Sequence, residues 1–351
     1  MNEQYFSRLE KIEAVLKEKL PAEFSPEWKS ASYGTLPDAV SDRDLEKLAS
    51  PCTELVALGG KRWRPLLQVL SAELVSGKAE NDPALSTSYR LTPLVEFVHT
   101  ASLIHDDIED NTDMRRGKPA AHLTFGLDVA LNAGSWLYFQ AARCINDEPL
   151  SAELKNTLYD MYLTELRRLH LGQSLDIQWH SDKPFIPQQD QYLAMTRLKT
   201  GTLASLAAQT GALAGGASQE EARFLGETAA SIGIGFQVLD DVINLTTGNK
   251  GKKRGDDVVE GKKSLPVILH LKDNPADKQI ITGYFKSAAV EGPDSPAVEK
   301  CITLLNESGA VAKASEISRK LITESCGVIL ERWHENNAAK LINGLFMEML
   351  S

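Results

Sequence analysis

Two short stretches of the chain concentrate oxygen ligands in a pattern suited to divalent-cation chemistry. In Leu103-Ile104-His105-Asp106-Asp107-Ile108-Glu109-Asp110, Asp106 and Asp110 are four residues apart. On a helix they project from one face, and Asp113 is expected to extend that face by another turn. Like charges at that spacing repel unless a cation sits between them. Oxygen-only donors in this arrangement suit Mg²⁺, which binds a couple of carboxylates and fills its remaining positions with water or substrate phosphates. An ordinary solvated acidic helix end is the simpler explanation for a charge run. It fits poorly here, because Ile104 and Ile108 flank the acids and an apolar run, 94–104, precedes them. The pattern returns in Phe236-Gln237-Val238-Leu239-Asp240-Asp241-Val242-Ile243-Asn244, with an amide in the fourth place. Two such clusters, each closing an apolar helix, suggest carboxylates facing each other across a cavity and holding several magnesium ions around a diphosphate.

Basic residues group around these motifs. Gly59-Gly60-Lys61-Arg62-Trp63-Arg64-Pro65 places Lys61 and Arg64 one helical turn apart near a helix start. Arg115-Arg116 follows the first cluster, and Lys199-Thr200, Lys252-Lys253 and Lys262-Lys263 come later. Arg grips phosphate oxygens in pairs, whereas Lys acts as a mobile point charge. His99 lies seven residues before Asp106, two turns back on the same face, and could donate a hydrogen bond to a second anion. His105 and His122 read as structural. No Gly-x-x-x-x-Gly-Lys-Ser/Thr loop is present, which argues against a nucleoside triphosphatase.

The elements that must position these groups are helical. Apolar residues recur at three- and four-residue spacing nearly everywhere, as in Leu203, Leu206, Thr210 and Leu213. Proline and glycine fall mostly between such runs. The periodicity predicts an all-α, single-domain bundle of about ten to thirteen helices around a central cavity. Residues 1–45 are expected to form an N-terminal helix and an irregular arm, and 46–351 the helical domain. The chain has 351 residues and a net charge of −10 with no basic stripe, a poor basis for gripping nucleic acid. No apolar run approaches the roughly 20 residues that span a bilayer, so stable membrane insertion is not expected. Met1-Asn2-Glu3-Gln4 lacks the start of a secretory signal, and Cys52, Cys144, Cys301 and Cys326 are scattered. The expected compartment is a reducing cytoplasm.

With these motifs in view, the sequence resembles the trans-isoprenyl diphosphate synthases (polyprenyl synthetases), most like geranylgeranyl diphosphate synthases. Six motifs over about residues 55–270 stand in the family's order: Gly-Gly-Lys-Arg-Trp-Arg-Pro, His99, the first Asp motif with Arg-Arg-Gly-Lys-Pro, Lys199-Thr200, Phe-Gln with the second Asp motif, and Glu260-Gly261-Lys262. The resemblance implies an isoprenoid-synthase helical bundle, usually homodimeric, that condenses isopentenyl diphosphate with an allylic diphosphate (dimethylallyl, geranyl or farnesyl). Asp106 and Asp110 would bind two Mg²⁺ ions and Asp240 a third, with Asp107, Asp241 and Asn244 in support. Arg115, Lys199, Thr200, Gln237, Lys252 (or Lys253) and Lys262 would hold the allylic diphosphate. Lys61, Arg64, His99 and Arg116 would hold isopentenyl diphosphate. Catalysis would fall to Asp106, Asp107, Asp110, Arg115, Lys199, Asp240 and Asp241, with Gln173 and Asp176 near the same cavity. Ala101 and Ser102, five and four residues before Asp106, are small where short-product relatives carry aromatic rings. An open tail pocket and a product of about twenty carbons follow, with Phe97 and Trp136-Tyr138-Phe139 as candidates for a deeper floor or simply core. The alternatives are a terpene cyclase of the same fold and a non-catalytic regulatory subunit. A cyclase would not need the Lys61, Arg64 and Arg116 site, and degenerate subunits usually lose aspartates.

Overall fold

A computed structural model of the chain describes residues 3–182, 184–248 and 254–350. Among these the protein is almost entirely helical, with eighteen α-helices. Twelve of them run 12 residues or longer, and the other six are pieces of nine residues or fewer. The short pieces escape a periodicity argument because two turns carry too few apolar positions to define a stripe. One such piece, Pro26–Tyr33, lies within the stretch read as an irregular arm; Pro26 opens it and the Ser25 hydroxyl accepts from the Trp28 N–H.

The helices gather into two compact units. The first comprises Met1–Thr164, Leu206–Gly226 and Glu335–Leu345. Its central element is the helix Pro93–Glu109, which packs on the helix Leu127–Asp147. Pro93 at the first helical position presets φ, and no glycine interrupts the run that follows. Leu94, Val95, Phe97, Val98, Ala101 and Ile104 are fully buried, each large side chain contributing roughly 1.5–3 kcal/mol of apolar transfer. The N-terminal helix Phe6–Lys19 is tied into this unit by polar bonds. The Tyr5 hydroxyl donates to the Leu341 carbonyl at 2.8 Å, and Arg8 holds both oxygens of Glu73 at 2.8 Å. A buried guanidinium is tolerated only when matched in this way.

The second unit comprises Glu165–Ser205, Glu227–His334 and Phe346–Ser351. Its core gathers Val238, Val242 and Leu245 with Leu265, Ile268 and Leu271 and with Ile302, Leu305, Val311 and Ala314. The helices Leu265–Asp273 and Ala310–Arg332 pack on one another within it. The only strands among the described residues are Met114–Arg115 and Lys118–Pro119, an antiparallel pair in the first unit with Arg115 opposite Lys118. No helix of the described residues is long and apolar enough to cross a membrane.

Candidate active site

In the first unit, the helix Pro93–Glu109 ends at Asp110, which caps it through its N–H to the Asp106 carbonyl at 2.8 Å. Asp106 and Asp110 therefore stand on consecutive turns, as their spacing predicts. Asp113 does not continue the face. Asn111 takes the left-handed conformation at φ 51°, the Thr112 N–H returns to the Asp107 carbonyl at 2.9 Å, and the chain reverses. Asn tolerates that conformation better than most residues. Asp107 is buried, and Arg115 grips its carboxylate through Nε at 2.9 and 3.1 Å and through Nη2. That pairing, with Asp106 and Asp110 nearby, raises the Arg115 guanidinium against the pull of burial.

Arg115 and Arg116 owe their positions to the hairpin. Its two-residue loop, Arg116-Gly117, has φ of 52° and 81°, the pair of positive values that a type I′ turn requires. Asn or Gly is the usual first residue, so an arginine held there costs roughly 1–2 kcal/mol. The Arg116 side chain reaches the Leu55 carbonyl at 3.2 Å and lies against Gly60. A Cβ added at Gly60 would meet Arg116 Nη2 at 3.0 Å, and the φ of 149° there is itself a glycine conformation.

Arg116 joins a cationic cluster. Arg64 Nη1 lies 3.3 Å from His99 Nε2, and His99 Nδ1 lies 3.5 Å from Glu96. Burial and the charges of Arg64 and Arg116 pull His99 down to about 4, so its ring is neutral near pH 7. Burial alone raises Glu96, but its partners outweigh this and hold it at about 2; with His99 neutral, the Arg62 cation is the partner that keeps it ionised. Burial lowers Arg64 to about 10, which leaves it charged. The predicted group Arg64, His99 and Arg116 is thus assembled. Lys61 differs from expectation: the helix starts at Trp63 with Arg62 as its cap, so Lys61 lies in the exposed loop before it rather than on a helical turn with Arg64.

The helix Gln219–Leu245 runs past the second motif, so Asp240, Asp241 and Asn244, all in the second unit, are helical. Asp241 is buried and receives the Tyr192 hydroxyl at 2.6 Å, the Leu265 N–H at 3.0 Å and Gln237 Nε2 at 3.3 Å. Desolvation raises its carboxyl to about 6 despite these donors, with Asp240 adding to the rise. Asn244 supports the motif through the backbone: its Oδ1 accepts from the Asp257 N–H at 3.3 Å, and its carbonyl from the Gly255 N–H at 2.9 Å.

Lys199 and Thr200 sit on a π-helical turn, Arg197–Gly201. Such bulges re-aim side chains and are frequent at functional sites. Lys199 Nζ bonds Asp176 at 2.6 Å, and Thr200 donates to Gln237 Oε1 at 3.0 Å. Burial acts to raise Asp176, but the Lys199 cation holds it well below the usual carboxylate range. Gly172 makes the turn possible: a Cβ there would stand 2.4 Å from the Lys199 backbone nitrogen. Gly172, Tyr192 and the π-turn escape sequence reasoning, since each depends on a neighbour distant in the chain. Lys262 pairs with Glu260 and lies 3.7 Å from Asp257. Lys252 and its alternative Lys253 lie outside the described residues.

Of the chain-length candidates, Ala101 and Phe97 are fully buried, and Ser102 is half-buried with its hydroxyl on the His99 carbonyl at 2.9 Å. Tyr138 is buried beside the His105 ring, and Trp136 packs with Phe24, Leu45 and Ala49. Phe139 is a correction: it is 79% exposed and floors nothing within the chain. Tyr138 and Phe139 are neighbours on the helix Leu127–Asp147 and point about 100° apart, so burying Tyr138 turns Phe139 away.

The donors fit magnesium. Asp106 and Asp110 offer oxygen donors on consecutive turns. Paired carboxylate oxygens short of a closed protein cage suit a hard cation that keeps waters and takes phosphate oxygens.

A helical protein with an Asp-Asp pair ending an apolar helix in each unit, and with Arg, Lys and His grouped beside those pairs, has the build of an isoprenyl diphosphate synthase. The polyprenyl synthetase family model matches residues 45–303, and the chain belongs to that family, whose members are prenyl transferases. It is 35% identical over 223 residues to geranylgeranyl pyrophosphate synthase 2 of Zymoseptoria tritici, covering 62% of this chain and 65% of that relative's length. It is 31% identical over 316 residues to a geranylfarnesyl diphosphate synthase of Natronomonas pharaonis, covering 86% of this chain and 88% of that one. Among solved structures it resembles the geranylgeranyl pyrophosphate synthetase of Pyrococcus horikoshii, with a TM-score of 0.82, 25% identity, and 99% and 98% of the two chains covered.

Proposed function

We propose that the protein is a magnesium-dependent head-to-tail prenyltransferase that joins isopentenyl diphosphate to an allylic diphosphate and releases a trans-prenyl diphosphate of about twenty carbons. The observation that carries this reading is the helix Pro93–Glu109. It bears His99, beside which Arg64 and Arg116 gather, and Asp106 seven residues on, about 10 Å along one rigid axis, with Asp110 as its C-terminal cap. One element therefore sets the spacing between the group beside the acceptor site and the carboxylates of the donor site.

Arg115, Lys199, Thr200, Gln237 and Lys262, with Lys252 or Lys253, hold the allylic diphosphate, and Asp176 keeps Lys199 extended toward it. Asp106 and Asp110 would hold two magnesium ions and Asp240 a third. Bound magnesium would neutralise the leaving diphosphate. Cations preset around that group favour charge that grows on it as the allylic C–O bond breaks. The double bond of isopentenyl diphosphate, held by Lys61, Arg64, His99 and Arg116, then forms the new C–C bond. A proton leaves to the released diphosphate, and no side chain serves as nucleophile. Apolar walls exclude water that would quench the cation, and small Ala101 and Ser102 leave room for the growing tail.

The protein works as a homodimer in the cytoplasm on this reading. A second copy is supported by Leu127, Leu131 and Phe139, exposed at four- and eight-residue spacing along one helix. The compartment is supported by four free, buried cysteines. The test is magnesium titration of turnover in Asp106→Asn and Asp110→Asn. Loss of at least about 100-fold in kcat with a raised magnesium requirement is expected; unchanged magnesium dependence would remove these residues from metal binding.

A further inference from the structure

The N-terminal helix carries none of the motifs, yet it reaches the cationic cluster. Glu13, on Phe6–Lys19, accepts from Arg62 Nε at 2.6 Å and from Nη2 at 3.4 Å. Arg62 is buried, and its left-handed φ of 47° turns its side chain inward, where the flanking Lys61 is exposed in the loop. Its Nη2 also meets the Val56 carbonyl at 2.5 Å, and Nη1 meets Glu96 Oε1 at 2.5 Å. The same Glu96 oxygen faces His99 Nδ1 at 3.5 Å, and His99 Nε2 faces Arg64 at 3.3 Å.

We infer that Glu13, Arg62 and Glu96 form a positioning relay that fixes the tautomer of His99 and, through it, the aim of Arg64 at the acceptor diphosphate. An ionised carboxylate only accepts, so Nδ1 of a neutral His99 must carry the proton. Nε2 is then the acceptor that Arg64 Nη1 requires, since a guanidinium only donates. His99 in the resting protein therefore orients Arg64 rather than presenting a donor of its own. Arg62 fixes Glu96 in turn, and Glu13 fixes Arg62, with charges alternating from Glu13 to Glu96. Arg116 is the other charged group acting on His99, and its repulsion favours the neutral ring. None of these three residues touches substrate on this account.

The inference rests on the reading that Arg64 and Arg116 hold isopentenyl diphosphate, with His99 serving that site through Arg64, and two independent readouts separate the two. The first is the ¹⁵N spectrum of histidine-labelled full-length protein, with His99 assigned by its disappearance in His99→Gln. An Nδ1–H tautomer near pH 7 is expected; an Nε2–H tautomer overturns the relay. The second is Glu13→Gln, which keeps volume and removes charge. We expect the KM for isopentenyl diphosphate to rise about fivefold, with kcat, the allylic KM and the melting temperature unchanged. An unmoved KM for isopentenyl diphosphate, or a fall in all parameters together, overturns the relay. If His99→Gln itself leaves that KM unchanged, the acceptor-site reading has failed, whichever tautomer is seen.

Discussion

Replacing Gly172 by alanine tests how the π-turn is built. Glycine inside a helix normally costs about 1 kcal/mol relative to alanine, so on the helix Ala152–Ser181 alone the change should stabilise. The new Cβ, however, would stand 2.4 Å from the Lys199 nitrogen, 2.7 Å from the Leu198 carbonyl carbon and 2.8 Å from the Lys199 α-carbon. Carbon contacts relax near 3.5–4.0 Å, so the two segments must separate by about 1 Å, and backbone atoms cannot rotate away. Overpacking of this kind costs about 1–3 kcal/mol. The backbone clash puts Gly172→Ala at the upper end, for a net loss of about 2 kcal/mol after the propensity gain. The displaced atoms carry Lys199 and Thr200, and a misplacement of about 1 Å can lower turnover by up to about 100-fold. Steady-state kinetics should show kcat/KM for the allylic substrate down about 10–100-fold, with the KM for isopentenyl diphosphate within about twofold. Gly283→Ala is the control, since nothing lies within 4 Å of its added Cβ; it should stabilise by about 0.5–1 kcal/mol. A Gly172→Ala protein as stable and as active as wild type would refute the packing argument.

Three further outcomes follow from the same geometry. Asp241 is buried with a carboxyl raised to about 6, so its contribution to stability is present below its unfolded value near 4 and is lost as pH rises through 6. In metal-free buffer the effect of Asp241→Asn on stability should therefore be more favourable above pH 7 than at pH 4, by up to about 3 kcal/mol, while activity falls at least about tenfold; thermal melts of both proteins at the two pH values decide this. Arg115→Lys keeps the charge but loses the paired grip on Asp107 and should lower kcat/KM for the allylic substrate by about 10–100-fold at little loss in folding. Leu131→Glu with Phe139→Glu places two charges on the exposed apolar stripe; sedimentation should show monomers where the wild type shows dimers, and an unchanged dimer would move the interface elsewhere.

What the sequence discloses and what it hides divide along physical lines. The carboxylate pairs and His99 are legible because helical spacing alone sets which side chains share a face, whereas the Arg-Arg step shows only as a charge pair and the hairpin that aims it does not. The end of that face is not: only the left-handed Asn111 shows that Asp113 has left the helix. Arg62 reads as one more basic residue beside Lys61, and its inward turn depends on a backbone conformation that arginine rarely adopts. Glu96 leaves a trace, being a lone acid among Leu94, Val95, Phe97 and Val98, and a charge in such a run implies a buried partner. Nothing in the sequence says that the partner is Arg62 or that Glu13 stands behind it. Tyr192 and Gly172 are silent for the same reason, since their roles lie in contacts with Asp241 and Lys199, 49 and 27 residues away in the chain.

The central claim is chain elongation, and it is tested by incubating the purified protein with Mg²⁺, isopentenyl diphosphate and each allylic primer in turn, then sizing the dephosphorylated products. A discrete alcohol of twenty carbons is the predicted result. Release of diphosphate without elongation, or no turnover with any primer, would contradict it.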